Sequence, residues 1–125
     1  MKSSFSKQER ILPKKTIKKL LSEGNRTSSK NLTAIWATQQ IQKEAIRLII
    51  SIPKHTHKLA VNRNYIKRII KEAYMATKNV ILKSINKPIN IILIYNKPTL
   101  PEFNKLKDEL LILFQKINNN LYEKS

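Results

Sequence analysis

Apolar positions recur along the chain with a period that changes from helix to strand and back. After Pro13, which suits the first turn of a helix, Ile17, Leu20 and Leu21 fall at i, i+3 and i+4. They predict a short helix stopped by Gly24, the only glycine. Asn25 to Asn31 is polar and reads as loop. Asn31 to Gln40 alternates, with Leu32, Ala34 and Trp36 on one face and Thr33, Ile35 and Ala37 on the other. A polar turn at Gln39–Lys43 leads to a second alternating strand, Glu44 to Ile52. There Ile46, Leu48, Ile50 and Ile52 oppose Ala45, Arg47, Ile49 and Ser51. Two strands so close in sequence predict an antiparallel hairpin, closed by Pro53.

Lys54 to Leu59 is a basic loop, and the period then returns to that of a helix over Val61 to Lys78. Ile66, Ile69, Ile70 and Ala73 give it one buried face. Asn86, Lys87 and Pro88 break the chain. Ile89 to Tyr95 is apolar except for Asn90, the pattern of a central strand covered on both sides. Pro98 and Pro101 bracket a turn, and Glu102 and Asp108 lie near the start of a last helix, where acids suit the dipole. Its predicted core face is Phe103, Leu106, Leu110, Leu113, Phe114 and Ile117. The order predicts a small α+β sandwich. It predicts a single domain over residues 1–125, with a basic arm at 1–12 and a polar tail at about 118–125.

Charge changes this picture from a fold to a partner. Lys and Arg number 25 against 8 Asp and Glu, for a net charge of +17. Such an excess repels itself and makes sense when a polyanion neutralises it, most often nucleic acid. An anionic membrane surface is the competitor, but no basic helix carries a broad apolar face without other use. The absence of cysteine excludes disulfides and thiolate chemistry. Met1 to Arg10 has no apolar segment of the signal-peptide kind, and no run approaches the roughly 20 residues of a membrane span.

The charges cluster in Lys54 to Lys71, and no acid lies between Glu44 and Glu72. Arg63, Lys67 and Lys71 stand at i, i+4 and i+8 on one line of the helix, flanked by Asn64 and Arg68. Like charges so spaced destabilise a free helix, so the rib suits phosphates. Arginine adds a planar fork, and Asn64 can both donate and accept at a base edge or 2′-hydroxyl. A merely solvated face is the alternative, disfavoured because no Glu is interspersed. His55 and His57 lack the Cys, His or carboxylate companions of a zinc site and are read as touching phosphate or nothing. Glu44, Glu72, Glu102, Asp108 and Glu109 are scattered singly, so no catalytic carboxylate group is expected and no metal is assigned to the protein. Trp36 can stack on a base or fill the core.

The stretch S-I-P-K-H-T-H-K-L-A-V-N-R-N-Y-I-K-R-I-I-K-E-A-Y, Ser51 to Tyr74, resembles the signature of the ribonuclease P protein family. That family carries S-V-x-K, A-V-x-R-N-R-x-K-R, then a basic residue and E-A-F/Y. Ser51, Lys54, Ala60, Val61, Arg63, Asn64, Lys67, Arg68, Lys71, Glu72, Ala73 and Tyr74 fall in place. Glu9 to Leu12 and the helix ending in Gly24 resemble its start more weakly. The resemblance implies the order α-β-β-β-α-β-α with a left-handed β-α-β crossover, and an extra short strand near Arg26 to Ser29. It implies a bacterial, cytoplasmic subunit of an endoribonuclease that removes the 5′ leader of precursor tRNA. The chemistry would belong to a catalytic RNA with Mg²⁺, held mainly by that RNA. RNA-binding residues would be Lys54, Lys58, Arg63, Asn64, Lys67, Arg68 and Lys71. A leader cleft would involve Arg10, Ile17, Leu21, Trp36 and Arg47. Tyr65 departs from the second arginine of R-N-R, and Ile17 and Leu21 stand at first-helix positions that are often aromatic. The alternatives are a structural RNA-binding protein of the ribosome or another ribonucleoprotein, and an RNA-independent endonuclease.

Overall fold

The strand that is apolar on both faces takes the centre of the sheet. The computed structural model describes residues 12–38, 46–85 and 87–123. Its elements are α1 (Lys14–Glu23), β1 (Asn25–Ser28), β2 (Leu32–Thr38), β3 (Ile46–Ser51), α2 (Ala60–Ser84), β4 (Ile89–Tyr95) and α3 (Phe103–Glu123). The sheet order is β1-β2-β4-β3, with β1–β2 and β2–β4 antiparallel and β3–β4 parallel. This is the α+β order expected, including the short first strand that the polar composition of Asn25–Ser28 conceals.

The expected hairpin of β2 and β3 does not form. β4 lies between them, pairing Leu32 with Tyr95 on one side and Ile46 with Ile89 on the other. Alternation dictates which face a side chain takes, not which strand is its neighbour. A strand such as β4, buried almost throughout, excludes water best with a neighbour on each side. The tight hairpin is instead β1–β2, where the Ser29 N–H donates to the Leu32 carbonyl at 2.8 Å. The expected Gln39–Lys43 turn lies outside the described residues.

The two sheet faces are covered unequally. On one side α2 and α3 bury Leu32, Ala34, Trp36, Leu48, Ile91 and Leu93 against Ile66, Ile70, Leu110, Leu113 and Phe114. On the other, α1 brings Leu20, and the chain before it Leu12, onto Ile35 and Ile92. Ile17, Ala37, Ile49 and Ile94 surround that smaller core and are only half-buried. Gly24 ends α1 as expected, but with φ of −68° rather than in the left-handed cap. Its requirement is space: a Cβ there would stand 2.5 Å from the Leu20 carbonyl oxygen and 2.8 Å from Ile35 Cγ2.

Four further expectations are corrected. The buried stripe of α2 is Ile66, Ile70, Ala73, Tyr74, Thr77 and Ile81, and it leaves Ile69 half-buried at its edge. Phe103 is 36% exposed, because it opens α3 on an outer rib and lies under the Lys107 ammonium, 5.5 Å from the ring centre. The tail is no tail up to Glu123: α3 continues, burying Asn118 and Leu121. Likewise the arm is tied down by residue 12, where Leu12 is buried.

Candidate nucleic-acid interface

Helix α2 enters at the end of a loop that is fastened on three sides. The backbone turns at Pro53, whose carbonyl accepts from Thr56 N and His57 N. The Thr56 hydroxyl donates to Asn96 Oδ1 at 2.6 Å, which ties the loop to the chain leaving β4. The His57 ring is buried, stacked on Tyr95 with centroids 6.4 Å apart, and its Nε2 lies 2.7 Å from the Lys97 carbonyl oxygen. His57, expected to touch phosphate or nothing, is therefore a brace inside the fold. His55 is exposed.

Arg63 is the third fastening. Its Nη1 donates to the His57 carbonyl at 2.8 Å and to the Lys58 carbonyl at 2.9 Å. A guanidinium has five N–H donors. Two are spent on the loop, so Nε and Nη2 still present an edge that matches a phosphate. Lys54, Lys58, Asn64, Lys67 and Arg68 are exposed, and Lys71 is half-buried. All lie away from the Ile66/Ile70/Ala73 stripe. The Arg68 guanidinium sits 5.4 Å from the centre of the Tyr65 ring. Such contacts stabilise by about 0.5–1 kcal/mol at exposed sites. Tyr65, which replaces a charge of the R-N-R pattern, thus orders the neighbouring one. Five of the seven candidates, Arg63, Asn64, Lys67, Arg68 and Lys71, share the side of α2 away from its buried stripe, and Lys54 and Lys58 lie in the loop that Arg63 braces.

The second candidate set does not stay together. Ile17 is half-buried against the sheet and Leu21 is 53% exposed at the outer edge of α1. Arg47 points to the same sheet face, as the neighbour of Asn90 across the β3–β4 pair. Trp36 is on the opposite face, 1% exposed, with Nε1 donating to the Thr27 hydroxyl at 3.0 Å. Its ring belongs to the core beneath α2 and α3 and cannot reach a ligand on the α1 side. The reason is alternation: Ile35 faces α1, so Trp36 must face away. Arg10 lies outside the described residues.

Two polar residues escaped the sequence reading as site candidates. Asn90 is 2% exposed, and its Oδ1 has no hydrogen-bond partner. It stands in one row with Ala37 and Arg47 across the three strands on the α1 side. The signal was its interruption of an apolar strand. Glu109 is buried on α3, where its carboxylate accepts from Ser29, from the Asn31 backbone and from the Asn31 amide. Among the described residues no three His, Asp or Glu side chains gather as metal ligands. No described helix is long and apolar enough to cross a membrane.

Comparison with known proteins agrees with this architecture. The family model described as Ribonuclease P matches residues 5–118. A ribonuclease P protein component of Photobacterium profundum is 28% identical over 120 residues, covering 96% of this chain and 93% of that one. The ribonuclease P protein structure from Staphylococcus aureus superposes with a TM-score of 0.68 at 22% identity, covering 89% of this chain and 96% of that one. The one from Thermotoga maritima gives 0.70 at 20% identity, with 86% and 96% covered.

Proposed function

The chain belongs to the ribonuclease P protein family, and from that premise we propose how its two surfaces divide the work. As a protein component of ribonuclease P it serves tRNA processing beside an RNA partner. The basic loop and the first half of α2 hold the catalytic RNA of the holoenzyme. The half-open α1 face of the sheet holds the 5′ leader of precursor tRNA. Cleavage belongs to the RNA, in the bacterial cytoplasm, and releases the leader to leave a mature 5′ end.

The observation that carries this reading is the preorganised cationic surface. Arg63 is fixed by two loop carbonyls and still keeps a free edge, and Arg68 is laid against Tyr65. Preorganised forks lose less entropy on binding than free lysines do. Mg²⁺, which the family implies, finds no ligand set among the described residues: the buried carboxylate of Glu109 is engaged by Ser29 and Asn31. The reading assigns the ion to the RNA. On the leader side, the half-buried Arg47 places a cation on the α1 face, suited to a leader phosphate.

The test is to recover the tagged protein from cells and sequence its RNA, then measure affinity for precursor and mature tRNA in the reconstituted holoenzyme. One abundant structured RNA should dominate, and Arg47→Gln should weaken precursor binding while leaving mature tRNA unchanged. Recovery of ribosomal RNA instead would favour the structural RNA-binding alternative. Equal losses for both tRNAs would remove the leader from this face.

A further inference from the structure

At the end of the sheet where β1 and β4 finish, a cavity of about 350 Å³ opens between the β1–β2 turn and the first turns of α3. Lys30, Asn31, Tyr95, Leu100, Lys105 and Glu109 line it. Neither the basic rib nor the α1 face uses it. Its lining is more polar than apolar, so a ligand there would be held mainly by hydrogen bonds and charge.

The hydrogen bonding inside defines what the cavity lacks. Glu109 Oε1 accepts from the Ser29 hydroxyl at 2.7 Å and from Asn31 N at 2.8 Å, whereas Oε2 accepts only the Asn31 amide at 2.6 Å. A carboxylate has about four lone-pair sites, so one acceptor site remains. The Tyr95 hydroxyl donates to the Thr99 carbonyl at 2.7 Å and keeps its lone pairs as acceptors. The cavity therefore wants a donor. Its wall at Leu100 is apolar and 54% exposed, a surface for a flat ring. Its rim carries the cations Lys30 and Lys105, the latter 3.1 Å from Glu102. Flat body, donor group and anionic end together describe a nucleotide whose base bears an amino group. Uracil has no amino group, and its one free ring N–H is flanked by two carbonyls that a carboxylate repels.

The cavity is linked to the basic loop through one buried side chain. Tyr95 is its wall on one side and stacks on His57 of the basic loop on the other. We propose that this cavity receives a single unstacked nucleotide, with an amino-bearing base, from an RNA lying along the loop and α2. The inference rests on the RNA-binding reading for its ligand class, and it adds a base-reading subsite to a surface otherwise suited to phosphates.

The test uses the full chain, ¹⁵N-labelled, titrated separately with CMP, AMP, GMP, UMP, inorganic phosphate and spermidine. The amides of Asn31, Leu100 and Leu106 should shift saturably with the three amino-bearing nucleotides. The response to UMP should be roughly tenfold weaker, the effect of about one hydrogen bond to a charged acceptor. Phosphate alone should move the amides around Lys67 and Arg68 and leave the cavity silent. Leu100→Asp, at an exposed position, should abolish the cavity response while the helix response persists. Cavity amides that stay still while the helix responds would overturn the proposal alone, and silence at both would overturn the RNA reading with it. Equal cavity shifts with inorganic phosphate, or saturation by spermidine but not by nucleotides, would show an anion or polyamine site and likewise overturn it.

Discussion

Replacing Arg63 by lysine keeps the charge and removes the fork, so it separates preorganisation from electrostatics. The native guanidinium makes two charge-assisted bonds through Nη1, to His57 O at 2.8 Å and Lys58 O at 2.9 Å. Each such bond is worth about 1.5–3 kcal/mol net. The one to Lys58 is exposed, and water replaces it at little cost, so the expected loss for the loop is close to one bond, about 1.5–3 kcal/mol. Hydrogen exchange at residues 55–58 should accelerate, because local opening free energy sets that rate. Affinity for the catalytic RNA should fall by roughly tenfold as Lys54 and Lys58 lose their fixed positions. The slope of log affinity against log salt should stay the same, since the number of neutralised phosphates does not change. Native affinity together with native exchange in Arg63→Lys would refute the bracing role. A flatter salt slope would mean that lysine loses a phosphate that the fork holds besides bracing the loop.

Arg68→Ala should weaken catalytic-RNA binding by about 1–3 kcal/mol and lower the salt slope by about 0.7–0.9, with native circular dichroism because the side chain is exposed. Ile70→Ala, at a fully buried position, should cost about 2–5 kcal/mol in denaturant unfolding, and Ile69→Ala, at the edge of the stripe, distinctly less. Trp36→Ala should destabilise the fold by about 3–5 kcal/mol and change precursor and mature tRNA affinities equally, which comparison of the two dissociation constants at a temperature where the variant is folded will check.

The period of the apolar residues carried the element types and most of the core, because burial imposes it directly on the sequence. Ile66, Ile70, Leu110 and Phe114 are all where that period puts them. Neighbour relations were less legible. The insertion of β4 between β2 and β3 follows from global packing, which no local pattern encodes. The basic surface was readable because like charges at helical spacing destabilise a helix that has no anionic partner. What the sequence hid was the use of polar groups inside the fold. His57 reads as a loop residue but stacks on Tyr95, Arg63 reads as a free phosphate contact but also braces a loop, and Glu109 reads as scattered but ties α3 to the β1–β2 turn. Each partner lies far away in sequence or in a loop of unpredictable path. Trp36 was ambiguous only until Ile35 was known to face α1.

The division of labour between protein and RNA is tested most directly by cleavage of precursor tRNA with each component supplied alone and together. The protein with Mg²⁺ alone should leave the substrate intact, and the catalytic RNA alone should cleave only at high salt or high substrate concentration. Addition of the protein should lower both requirements, because a +17 chain supplies the counter-charge that salt otherwise provides. Metal-dependent cleavage at the mature 5′ end by RNA-free protein would contradict the account, as would an RNA whose salt requirement the protein leaves unchanged.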